Sequence, residues 1–212
     1  MYLSRIKLNT TLRETIKSLA APNLIHGAIE NCEKCEKYER TRKLWRIDTL
    51  GGEKYLLILS HSQLDFSDVA NQFAGCNIYE SKCYDSLLER VTTGSKWQFR
   101  LRANPTVQKC TKSEGRGKVL AHITTTHQEE LLLKQSQKYG FTLSEGEWLV
   151  TGSQWYIFRK NKAEKNKVRM LAVTYEGSLT VTDADLFRKA LTEGIGREKA
   201  FGMGLLTIAG IR

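Results

Sequence analysis

The sequence predicts an α+β protein made of two tandem ferredoxin-like units, RRM-like in outline, each a βαββαβ series with an antiparallel sheet. Three observations carry this. At 212 residues the chain can bury the cores of two domains of about 100 residues each. Hydrophobic residues at 41% and charged residues at 26% describe an ordinary globular protein. The same order of strand-like and helix-like segments occurs twice, without a visible internal sequence repeat.

In the first unit, Tyr2 to Asn9 alternates apolar and polar residues, the pattern of a half-buried strand. Thr10 and Thr11 can cap a helix that runs to Ala20. Ala21-Pro22-Asn23 breaks it, and a second helical segment starts near Leu24 with His26 in its first turn. Lys43 to Leu50 and Glu53 to His61 form a hairpin, because Gly51-Gly52 supplies the positive φ angles of a tight turn. A short helix over Asp65 to Phe73 and a strand near Cys76 to Tyr79 complete the unit, which spans residues 1–90.

The second unit spans 95–212. Its first strand, Trp97 to Ala103, stops at Asn104-Pro105. A mobile basic loop is expected over Lys109 to Lys118, and a helix over Thr126 to Tyr139. Gln154 to Arg159 and Val168 to Val181 are strands joined by the hydrophilic tip Lys160 to Lys167. Asp183 to Leu191 is helical, and Leu205 to Ala209 is the closing strand.

Charge narrows the function classes. The chain has 33 basic and 23 acidic residues, a net charge of +10, and the excess is concentrated. Residues 96–118 carry seven basic residues against Glu114, and 154–169 carry six against Glu164. Localised basicity interleaved with Trp97, Phe99, Trp155, Tyr156 and Phe158 suits nucleic acid better than a membrane surface. The N-terminus lacks a signal-peptide core, and no apolar run approaches the roughly 18 residues of a membrane helix, so a cytoplasmic protein is expected. Five irregularly spaced cysteines argue against a disulfide framework. Cys32 and Cys35 have the spacing of half a zinc site or a redox pair, but no second pair accompanies them, so no metal is expected.

The last stretch, Glu193 to Ala209, holds Gly194, Gly196, Gly202 and Gly204 around the basic residues Arg197 and Lys199. Such a loop can press backbone N–H groups against phosphate. It follows a helix and precedes a strand, the reverse of a dinucleotide fingerprint, and the P-loop pattern is absent. No nucleotide cofactor is expected.

Several segments together resemble the CRISPR-associated RNA-processing endoribonucleases of the CasE type, which belong to the type I-E system. They are Met1-Tyr2-Leu3-Ser4, the helix-borne His26, Phe99 to Pro105, Tyr175 to Thr180, and Gly194 to Leu206. The resemblance implies two ferredoxin-like domains, in agreement with the reading above. It also implies cleavage of repeat RNA at a stem-loop by 2′-hydroxyl attack, leaving a 2′,3′-cyclic phosphate and a 5′-hydroxyl without a metal. The mature guide RNA is then retained within the surveillance complex, whose other subunits are expected partners; no DNA contact is expected of this subunit alone.

Of His26, His61, His122 and His127, the resemblance maps the catalytic histidine onto His26. A tyrosine common in the family three residues earlier is replaced by Asn23, with Tyr2 as a candidate substitute. The family's basic hairpin corresponds to Trp155 to Arg169, with Arg159, Lys160, Lys162, Lys167 and Arg169 as RNA contacts. Arg100 and Arg102 flank Leu101 and so share one sheet face; with the terminal glycines, Arg197 and Lys199 they complete the expected RNA-binding set. A non-catalytic tandem RRM-like RNA-binding protein is the alternative.

Overall fold

A computed structural model describes residues 1–33, 41–109, 118–159 and 167–211. The first sheet is built from β1 (Tyr2–Lys7), β2 (Leu44–Leu50), β3 (Glu53–Ser60) and β4 (Glu80–Cys83), in the order β2-β3-β1-β4 and antiparallel throughout. Its helices are α1 (Arg13–Ala20), α2 (Pro22–Asn31) and α3 (Ser67–Ala74). Ile25 and Ile29 of α2, with Val69, Ala70 and Phe73 of α3, bury against Ile6, Leu56 and Ile58 of the sheet. A short α4 (Asp85–Glu89) lies in the connection that follows.

The second sheet repeats the topology. β5 (Lys96–Ala103) is followed by a small hairpin, β6 (Thr106–Lys109) with β7 (Lys118–Ala121), and then α5 (Thr125–Lys138). β8 (Phe141–Thr142), β9 (Trp148–Phe158), β10 (Val168–Val181), α6 (Ala184–Glu193) and β11 (Leu206–Gly210) complete the chain. The order is β11-β5-β10, with β8 and β9 both pairing with β10. This is the ferredoxin-like arrangement twice over, as the segment order predicts. Phe187, Ala190 and Leu191 of α6 pack with Phe99, Leu101, Val173 and Tyr175 in the larger core.

Several boundaries differ from expectation, each for a local reason. Thr10 and Thr11 do not cap α1: the Asn9 side chain accepts from the Thr11 N–H and hydroxyl in a turn ahead of it, and Leu12 holds the cap position. α2 starts at Pro22, whose missing N–H and fixed φ suit the first helical position, so His26 lies in the second turn. The last strand of the first unit is Glu80–Cys83 rather than Cys76 to Tyr79, because α3 runs on to a left-handed cap at Gly75. β9 begins at Trp148, six residues before the expected Gln154, and absorbs a bulge opposite Thr174 and Tyr175. The expected basic loop between Lys109 and Lys118, and Lys160 and Lys162 of the hairpin tip, lie outside the described residues.

The two sheets are tied together by Arg46, whose side chain is 1% exposed. It forms a bidentate pair with Asp48 at 2.7 Å and donates to the carbonyls of Arg100 at 2.7 Å and Leu205 at 2.8 Å. A further bond at 2.7 Å reaches the Thr207 hydroxyl. A buried guanidinium is tolerated because its donors are satisfied, and here they span β2, β5 and the β11 region.

Candidate active site

His26 projects from α2 where the 3.6-residue period turns Ile25 and Ile29 into the core and presents His26 and Glu30 to a cavity. The cavity is about 940 Å³. Its wall comes from α2 (His26, Gly27, Glu30, Asn31), the strand approach Thr41, Arg42 and Lys43, and the glycine-rich loop from Gly196 to Ala200. A half-exposed imidazole therefore faces Arg42, Arg197 and Lys199, an arrangement suited to an anion that must also lose or gain a proton.

The electrostatics reflect partial burial. Burial pushes the His26 pKa below the ordinary histidine value; Glu30 pulls it up and Lys43 pushes it down. His26 Nδ1 lies 3.9 Å from Glu30 Oε1, one helical turn on. The Lys199 ammonium is also held below its usual range, by burial and then by Arg42, with Glu193 opposing. Its Nζ donates to the Glu193 carbonyl at 2.7 Å.

The glycine loop is built by packing as much as by turning. At Gly202, with φ of 78°, an added Cβ would meet the Trp45 ring at 2.7 Å; at Gly194 it would meet Leu44 at 2.9 Å. The Trp45 indole N–H donates to the Ala200 carbonyl at 3.3 Å, so β2 is the bed on which the loop rests. Gly194, Gly202 and Gly204 are buried, and their N–H groups donate to the carbonyls of Ala190, Lys199 and Arg102. That differs from the expected direct phosphate contacts: these three shape the loop, and Gly196, Arg197 and Lys199 are the members that reach the cavity. On the far side of the ridge made by Arg197 and Glu198, a smaller cavity of about 260 Å³ includes Asn104 and Arg169. Arg169 stacks on Trp155, its guanidinium carbon 4.6 Å from the ring centroid. The buried Phe201 and Met203 of the loop pack with Tyr156, Phe158 and Met170, the base of the basic hairpin. Arg159 and Lys167 stand exposed at the two ends of that hairpin's described stem.

Arg100 and Arg102 do share one sheet face, opposite Glu176 and Thr174 of β10. They line a separate cleft of about 470 Å³ that has no wall residue in common with the His26 cavity. Arg100 pairs with Glu176 at 2.6 Å and Asp48 at 3.4 Å; Arg102 donates to Gln154 and to the Tyr156 hydroxyl, each at 2.9 Å. The expected convergence of these arginines on His26 is therefore not what the packing produces, because β5 turns both into the cleft beside β2 and β9. Neither Asn23 nor Tyr2 belongs to the wall around His26; Tyr2 sits in β1 opposite Ser60 and Cys83. Arg42, Lys43 and Glu30, absent from the sequence-based set, do belong to it. Burial pushes the Cys32 thiol up to about 11, which disfavours thiolate chemistry; Cys35 lies outside the described residues. Among the described residues no cluster of three or more His, Cys, Asp or Glu could hold a metal ion, and no helix is long and apolar enough to cross a membrane.

Residues 1–210 match the family model described as CRISPR associated protein. The chain belongs to this CRISPR-associated family. One similar relative is the CRISPR-associated endoribonuclease Cse3 of Thermus thermophilus, 27% identical over 99% of this chain and 100% of the relative. A solved structure of the CRISPR endoribonuclease Cse3 bound to a 19-nucleotide RNA superposes with a TM-score of 0.81, at 25% identity, covering 99% of this chain and 100% of that one. A second, Thermus thermophilus Cse3 bound to an RNA representing a pre-cleavage complex, gives 0.80 at 25% identity and covers 98% of both chains. The similarity to these members of the CRISPR-associated family spans both ferredoxin-like units, with the His26 cavity between α2 and the terminal loop.

Proposed function

We propose that this protein is an endoribonuclease that cuts CRISPR repeat RNA at its stem-loop without a metal, leaving a 2′,3′-cyclic phosphate and a 5′-hydroxyl. The observation that carries the reading is the cavity joining His26 to Arg42, Arg197 and Lys199 in a chain similar over its whole length to RNA-bound endoribonucleases. The substrate brings its own nucleophile. The ribose 2′-oxygen bonds to the adjacent phosphorus as the P–O5′ bond breaks. The 2′-hydroxyl proton passes to His26, whose partial burial favours the neutral form that can accept it. The departing 5′-oxygen takes a proton from the solvent to which the cavity opens. Arg42, Arg197 and Lys199 stabilise the charge that builds on the phosphoryl oxygens.

The ridge carrying Arg197 leads from this cavity toward Arg169 and the hairpin stem, a path for the RNA backbone. In this reading the chain divides into units 1–90 and 95–212, is cytoplasmic, and holds the product stem-loop as a subunit of the surveillance complex. Incubation with end-labelled repeat RNA tests it: one defined cut, unaffected by a chelator, is expected. Shifted but intact RNA would instead indicate a binding module without catalysis.

A further inference from the structure

We infer that Glu30 is a positioning residue for His26, holding the ring by Nδ1 and balancing the imidazolium that forms when Nε2 takes a proton. The inference rests on the proposed ribonuclease reading for its consequence and on independent geometry for its substance.

That geometry is a braced carboxylate. Glu30 Oε1 faces His26 Nδ1 at 3.9 Å, and Glu30 Oε2 lies 3.5 Å from Lys43 Nζ. The Lys43 side chain is 0% exposed and also binds Glu33 at 2.6 Å and the Thr41 carbonyl at 3.1 Å. Glu33 is fixed in turn by the Thr41 N–H and hydroxyl, each at 3.2 Å. Lys43 keeps Glu33 and the Thr41 carbonyl as its closer partners, and its third contact, at 3.5 Å, draws Glu30 Oε2 toward the buried ammonium while Oε1 faces the ring. Two carboxylates and one ammonium give this cluster one net negative charge beside a neutral imidazole, and protonation of His26 brings the set to balance. The long approach at Nδ1 can shorten as the ring gains charge, as unliganded catalytic hydrogen bonds often do. Nδ1 is the ring nitrogen nearest Glu30, so a bond formed there on charging would leave Nε2 as the nitrogen for substrate.

The other charged groups around His26 oppose or modulate this. Lys43 and Arg42 approach from the segment before β2, and Arg197, Glu198 and Lys199 from the glycine loop. Apart from Glu198 these are cations, so Glu30 is the anion on the helix that supports an imidazolium among them.

The test is an NMR titration of His26 in RNA-free protein, comparing wild type with Glu30→Gln and Glu30→Asp. Glu30→Gln keeps the volume and removes the charge, so His26 should titrate at lower pH, with Glu30→Asp between it and wild type. The acid limb of single-turnover cleavage should move to lower pH with it, at a rate loss smaller than the roughly 10² to 10⁴-fold of His26→Ala. In a His26→Ala background, Glu30→Gln should change the residual rate no further. An unmoved His26 titration in whichever variant folds overturns the inference, even if stability falls. Should the wild type fail to cut RNA, the proposed function fails, but the RNA-free titration still decides the role of Glu30.

Discussion

His26 carries opposing influences that fix how the reaction should respond to pH. Burial lowers its pKa and outweighs the pull of Glu30, so the neutral, proton-accepting ring persists to lower pH than in an ordinary histidine. Cleavage should therefore rise with pH through a limb whose midpoint lies below the ordinary histidine value; a single-turnover profile with that midpoint at or above the ordinary value would contradict the assignment. His26 was legible in the sequence because Ala21-Pro22-Asn23 announces a helix start and the family motif points to it. Glu30, Arg42 and Lys43 were not. Their meeting depends on the segment before β2 returning beside α2, and Lys43 reads locally as the first residue of a strand. Tyr2 is absent from the wall because its strand, β1, pairs inside the first sheet, whereas Asn23 shares the helix face of Gly27 and Glu30 but sits one turn nearer the helix start than His26.

Most elements were readable from period and punctuation, as with the Gly51-Gly52 hairpin and the Asp183-capped α6, whose cap carboxylate accepts from the N–H groups of Asp185 and Leu186. Ends set by pairing were not, as with β4, placed by its partner β1 rather than by its own residues. The glycine loop shows how far composition carries. Its glycines pointed to close approach, and the structure identifies the approaching group at Gly202 as Trp45. Gly202→Ala should thus strain φ at 78° and drive a methyl into that ring, a loss of roughly 2 to 4 kcal/mol read by urea denaturation. Cleavage should fall with it, since the loop carries Arg197 and Lys199 into the cavity. A fully stable, active Gly202→Ala protein would show that the loop does not depend on this packing.

At the scale of the molecule, the two units and their internal order could be read from the sequence, but their mutual placement could not. That placement rests on contacts more than 50 residues apart, such as Arg46 with the carbonyls of Arg100 and Leu205. It is also why Arg100 and Arg102 face a cleft beside β2 rather than His26. Removing one member of so buried a network leaves the others unpaired, so Arg46→Ala should cost about 3–5 kcal/mol in denaturant unfolding. A loss below about 1 kcal/mol would mean that the sheets are held chiefly by the apolar cluster around Leu44, Leu59 and Leu205.

The claim on which the rest depends is that the His26 cavity performs RNA cleavage and not only RNA binding. Single-turnover cleavage and equilibrium affinity, measured on the same labelled repeat RNA for wild type and His26→Ala, test it most directly. The expected result is a rate loss of about 10² to 10⁴-fold with an affinity nearly unchanged. Cleavage at the wild-type rate, or a parallel collapse of binding, would contradict it.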